Sequence, residues 1–116
     1  MDLISELEAL GVDTQDALKR FSGNSDLYKR MIGKFPASAE GLEVMSFMKD
    51  GDYATAVSNA HTLKGVTGNL SITPLYTAYT EIVNCLRAND PEKALQTLEN
   101  VLPIQQKIIN CIKENS

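Results

Sequence analysis

The sequence has no tryptophan, one histidine, two cysteines and no excess of positive charge. Each shortage removes a class of function. A metal centre in a helical protein needs several His, Cys or carboxylate ligands converging. One His with no Glu-x-x-His and two isolated Cys do not supply them, so no metal is expected. Eleven Lys and Arg against fifteen Asp and Glu leave a net charge of −4 and a pI near 4.9. That excludes a basic field able to hold a nucleic-acid backbone or an anionic membrane. No apolar run approaches the ~18 residues that span a bilayer. The first residues, Met1 to Glu8, are acidic and amphipathic, unlike a secretory signal. Cys85 and Cys111 lie far apart in apolar-periodic segments and read as buried free thiols of a reducing compartment. A cytoplasmic location is the expectation. No alternating β-branched stretch bounded by hairpin turns occurs. The Gly65–Asn69 run has the wrong order for a phosphate-binding loop and no strand before it. No nucleotide or other cofactor is expected.

What is present is helical periodicity over one domain, residues 1–116, with an ordinary globular composition of 43% apolar and 22% charged residues. Leu3, Leu7 and Leu10 mark a short helix ended by Gly11; Asp13-Thr14 caps a second over Gln15 to Phe21. Ser25 is a fair cap for the next segment. Leu27, Met31, Ile32 and Phe35, then Leu42, Met45, Phe47 and Met48, predict one bent helix or two nearly coaxial ones over residues 26–49, with Pro36 kinking or restarting it. Gly51 stops that run and Asp52 opens a helix to about Leu70. Thr73 caps the next, with Pro74 at its first position, and it stops at Asn89-Asp90. Pro91 starts a last helix that Pro103 should bend. The expected fold is all-α: an antiparallel up-down four-helix bundle with two short N-terminal helices covering one end.

The segment from Asp52 to about Leu70 carries the chemistry. Ala56, Ala60, Leu63, Thr67 and Leu70 fall on one stripe at ~100° per residue, a core face. His61 lies well off that stripe. Lys64, Gly65 and Gly68 follow it at i+3, i+4 and i+7 on its own face. Each glycine costs about 1 kcal/mol relative to alanine in a helix, so two of them beside the only histidine suggest that something large must approach it. Ala54, Val57 and Ser58 share the face and would leave it weakly polar or apolar. Ser58 could hydrogen-bond His61, but a serine nucleophile there would lack an oxyanion hole and a pocket. A neutral imidazole is a good nucleophile towards phosphorus near pH 7. Lys64 can offset the charge of a phosphoryl group on His61, and Gly65 and Gly68 would clear its in-line approach. An ordinary surface histidine is the simpler reading of any one of these residues, but not of all four together.

Ala60-His61-Thr62-Leu63-Lys64-Gly65 resembles the signature of histidine phosphotransfer (HPt) domains. Leu10-Gly11-Val12-Asp13, Ala17-Leu18-Lys19-Arg20-Phe21, Gly23-Asn24, Leu27-Tyr28 and Phe35 are similar to the family's N-terminal half, in order, and Asp50-Gly51-Asp52 to its helix break. The resemblance covers most of residues 7–86. It implies a phosphorelay carrier without an ATP site: His61 takes a phosphoryl group from the phospho-aspartate of one response-regulator receiver domain and passes it to the aspartate of another. Lys64 would be the charge partner and Gly65 the small residue that admits the receiver, while Gly68 rests mainly on the geometric reasoning. Receivers, free or within a hybrid histidine kinase, are the partners implied; magnesium would belong to the receiver. A monomer is expected. Two departures stand out. Ser71 replaces the family's usual glycine ten residues after the histidine, and Val83 occupies a position where many members have Gln or Glu near the imidazole. The alternatives are a non-catalytic adaptor using the same face, and the dimerisation and phosphoacceptor piece of a histidine kinase.

Overall fold

A computed structural model describes residues 2–115, and every described element is helical. In chain order they are α1 (Leu3–Ala9), α2 (Thr14–Arg20), α3 (Ser25–Ile32), α4 (Phe35–Gly41), α5 (Met45–Lys49), α6 (Tyr53–Asn69), α7 (Thr73–Arg87) and α8 (Pro91–Glu114). The all-α expectation holds. No described helix is long and apolar enough to cross a membrane.

Short polar side chains set most of the starts. Asp2, Asp13, Asn24, Asp52 and Asp90 each accept a hydrogen bond from the backbone N–H three residues on, filling one of the orphan donors of a first turn. Asn24, and not Ser25, therefore caps α3; both are cap formers, and Ser25 is taken into the first turn. Thr73 is likewise inside α7, whose preceding residue Ile72 offers no side-chain cap. Gly11 and Gly51 end their helices with φ of +96° and +74°, values that a glycine reaches without steric cost.

The segment 26–49 departs furthest from expectation. It is neither one bent helix nor two coaxial ones but three short helices, α3, α4 and α5. Pro36 restarts the chain in the first turn of α4. The second break follows Gly41, where Leu42 leaves helical geometry. The next turn is held by Glu43, which accepts the Ser46 N–H at 3.0 Å and whose own carbonyl accepts from Asn59 Nδ2 at 2.9 Å.

The long helices α6, α7 and α8 follow one another, α6 packing along α7 and α7 along α8. The short N-terminal helices close the remaining sides: α4 and α5 against α6 and α8, α1 against α8, and α2 between α1 and α3. One core runs through the whole, with Leu7, Tyr28, Ile32, Phe35, Leu63, Leu75, Ile82, Leu98 and Ile108 essentially sealed from water. Cys85 and Cys111 are free and buried in it. Pro103 sits on the exposed side of α8, which continues through it as helix. The residue that caps α8 meets α1: Asn115 Nδ2 donates to Glu6 Oε2 at 2.5 Å.

Two buried tyrosines tie elements together. Tyr28 Oη donates to the carbonyl of Leu70 at 2.8 Å, joining α3 to the C-terminus of α6. Tyr79 Oη donates to Gln105 Oε1 at 2.5 Å, joining α7 to α8. Burial pushes the Tyr79 phenol up to about 12, so it stays a donor throughout the physiological range.

Candidate functional site

The core stripe of α6 is the one its periodicity predicts. Ala56, Ala60, Leu63 and Thr67 are buried within the helix, and Leu70 is buried at its cap. Thr67 is a polar residue in that stripe, and its hydroxyl is satisfied by the Leu63 carbonyl at 2.8 Å. Burying this stripe turns the opposite face of α6 to solvent, and His61 stands on it, exposed. Among the described residues nothing hydrogen-bonds the imidazole, and nothing pairs with the Lys64 ammonium one turn on. Val83 is fully buried in α7, so it offers the ring nothing.

The two glycines separate in role. A Cβ added at Gly65 would meet nothing within 4 Å. At Gly68 it would lie 3.0 Å from both Cδ1 and Cε1 of Tyr76. Gly65 therefore leaves open space beside the histidine, as its place in the sequence suggests. Gly68 does not: it lets the Cδ1–Cε1 edge of the Tyr76 ring of α7 come close to α6.

His61, Lys64, Gly65 and Gly68 line one cleft of about 470 Å³. Ala54, Val57 and Ser58 do not reach it. They lie further up α6, Ala54 and Ser58 exposed and Val57 half-buried against the core. The rest of the cleft is built by Asp16 and Arg20 of α2, by Ser71 in the turn between α6 and α7, and by Tyr76 of α7. Ser71 Oγ donates to Asp16 Oδ2 at 2.7 Å, and Arg20 Nε donates to the same oxygen at 2.9 Å. Asp13 N–H adds a bond to the Ser71 carbonyl at 3.0 Å. The Arg20 and Ser71 hydrogen bonds hold the Asp16 carboxyl below its ordinary value of 3.8.

No family model, curated protein or solved structure matches this chain. Its own geometry must carry the chemistry. Ser71 has φ +55°, the left-handed conformation that a glycine would take freely, so serine here keeps a glycine-type turn and adds a hydroxyl that fastens α2 to it. Asp16, Arg20 and Tyr76 went unremarked as site residues in the sequence. The one signal was the i, i+4 spacing of Asp16 and Arg20, which marks a helix-surface pair and says nothing of where that surface faces. Among the described residues no group of three or more His, Cys, Asp or Glu is placed to hold a metal ion. Among the described residues the cleft thus offers an unbonded imidazole, an unbonded ammonium, open space at Gly65 and a braced arginine.

Proposed function

We propose that this chain is a histidine phosphocarrier of the HPt type, exchanging a phosphoryl group between His61 and the aspartate of a receiver domain. In this reading the fold is an antiparallel four-helix bundle in which α3, α4 and α5 together supply the side opposite the long helices. The observation that carries it is the exposed His61 ring, unbonded among the described residues, with Lys64 one turn on and open space at Gly65.

A buried or hydrogen-bonded histidine would be occupied with structure; this one keeps a nitrogen lone pair for an incoming electrophile. The imidazole nitrogen attacks the phosphorus of an aspartyl phosphate in line with the bond being broken. The N–P bond forms as the P–O bond breaks, and the electron pair leaves with the partner's carboxylate. The other ring nitrogen carries its proton through the step and can release it to water. Lys64 neutralises part of the charge on the phosphoryl oxygens, which matters most while the docked partner excludes water. Transfer to a second receiver reverses these steps. Docking of this kind suits a small transient interface, at the low end of specific complexes, below roughly 1,200 Å².

The test is phosphoryl transfer from chemically phosphorylated receivers to the wild type and to His61→Gln. Acid-labile, alkali-stable label on the wild type alone, with unchanged thermal stability of the variant, is the expected result. Equal label on both proteins would remove the chemistry from His61, and label on neither would leave an adaptor that binds through this face.

A further inference from the structure

We propose that Arg20 is a specificity-determining residue, which receives a carboxylate of the docked receiver at the end of the cleft remote from His61; this rests on the phosphocarrier reading. The reasoning begins with how the guanidinium is held. Its Nε is engaged by Asp16 at 2.9 Å, and that carboxylate is in turn held by Ser71 at 2.7 Å. Helix α2 and the α6–α7 turn therefore fix the stem and the near edge of the fork. Its two terminal amino groups bond nothing among the described residues, and the side chain is half-exposed, at 51%. An arginine pinned through Nε alone still offers a planar pair of donors, whose spacing matches the two oxygens of a carboxylate.

Location selects the ligand. Arg20 lines the same cleft as His61. Its partner Asp16 is nevertheless tied to Ser71, which lies beyond the C-terminal end of α6, ten residues after the histidine. In this proposal Arg20 does not share the phosphoryl group with Lys64 but is left for the docked partner. It meets a body large enough to span the cleft, whose reacting group is itself an aspartate. The chain as a whole carries a net charge of −4, and Asp16 already offsets part of the Arg20 charge, so the ligand is met by the two unbonded amino groups of the fork and not by a free cation. Tyr76, 40% exposed and seated on Gly68, lines the cleft between the two ends and gives the contact an apolar wall. Arginine and tyrosine are the residue types that most often anchor an interface.

The experiment uses the receiver domain that transfers fastest to the wild type, with Arg20→Gln and Arg20→Lys. For Arg20→Gln the KM for transfer rises about tenfold while kcat stays within twofold. The ratio of the KM values shrinks towards one as salt is raised, because a half-exposed ion pair is screened. Arg20→Lys, which keeps the charge and loses the fork, falls between the two. Unchanged KM in Arg20→Gln overturns the proposal. So does a loss confined to kcat, which would bring the guanidinium to the phosphoryl group instead. Calorimetric titration of the unphosphorylated receiver onto His61→Gln, with and without Arg20→Gln, reads the same contact without chemistry and must show the same tenfold weakening. Binding that is insensitive to Arg20 overturns this inference alone; no binding by any receiver overturns it together with the phosphocarrier reading.

Discussion

The two ends of the cleft are built on opposite plans. At the His61 end the imidazole and the Lys64 ammonium are unbonded among the described residues, and the helix surface at Gly65 is bare. At the Ser71 end almost every polar group is engaged: Ser71 with Asp16, Asp16 with Arg20, Asp13 with the Ser71 carbonyl, Tyr28 with the Leu70 carbonyl. A reactive side chain has to remain uncommitted, and an uncommitted side chain contributes little to holding its own position. The helix that carries it must then be fixed from elsewhere. Here part of the fixing is done by bonds to Leu70 and Ser71 just past the C-terminus of α6, more than two turns from the ring, and part by Asn59, which donates to the Glu43 carbonyl.

Tyr28→Phe is expected to give the largest separation of stability from function. It leaves the buried Leu70 carbonyl without a donor and costs about 1–3 kcal/mol in denaturant unfolding. Transfer through His61 at 25 °C should remain within twofold, and a parallel collapse of transfer would break the comparison. The glycines give a finer test. Gly65→Ala fills open space in a helix and raises stability by about 1 kcal/mol, whereas Gly68→Ala gains less, because its Cβ must displace the Tyr76 ring. In a Tyr76→Ala background the two substitutions should become equal, and a difference that persists in this cycle would locate the crowding elsewhere. The smallest effect is expected at Ser71. Ser71→Ala keeps the left-handed strain and loses the bond to Asp16, lowering Tm by roughly 2–4 °C for a domain of this size. Ser71→Gly loses the same bond but relieves the strain, and should stay close to the wild type.

The half of the cleft on α6 was legible because one helix carries it. A 3.6-residue period puts Ala56, Ala60, Leu63 and Thr67 inward and so His61, Lys64 and Gly65 outward without reference to any other element. Asp16, Arg20 and Tyr76 come from α2 and α7, and nothing local records that those helices meet at Ser71. Gly68 shows the same limit: on its own helix it looks like cleared space, and only the neighbouring Tyr76 gives its reason. The division of residues 26–49 was missed for a different cause. Leu42, Met45, Phe47 and Met48 continue a helical apolar rhythm across the break, so the pattern does not register that α4 ends at Gly41. The caps at Asn24 and Ile72 each differ by one residue from the expected ones, a shift that adjacent cap formers and a proline in the first turn leave open.

The contact between Glu6 and Asn115 has a topological consequence. The first and last helices are in contact, and Asn115 touches Glu6 one turn into α1, so a short flexible linker could join the described ends, closing a ring at small entropic cost. A ring of helices has no privileged opening. The chain could be cut at an exposed turn such as Ser22–Gly23 or Asn89–Asp90 and keep every packed surface, and the same adjacency would let it be spliced into a loop of another protein without prising that loop apart.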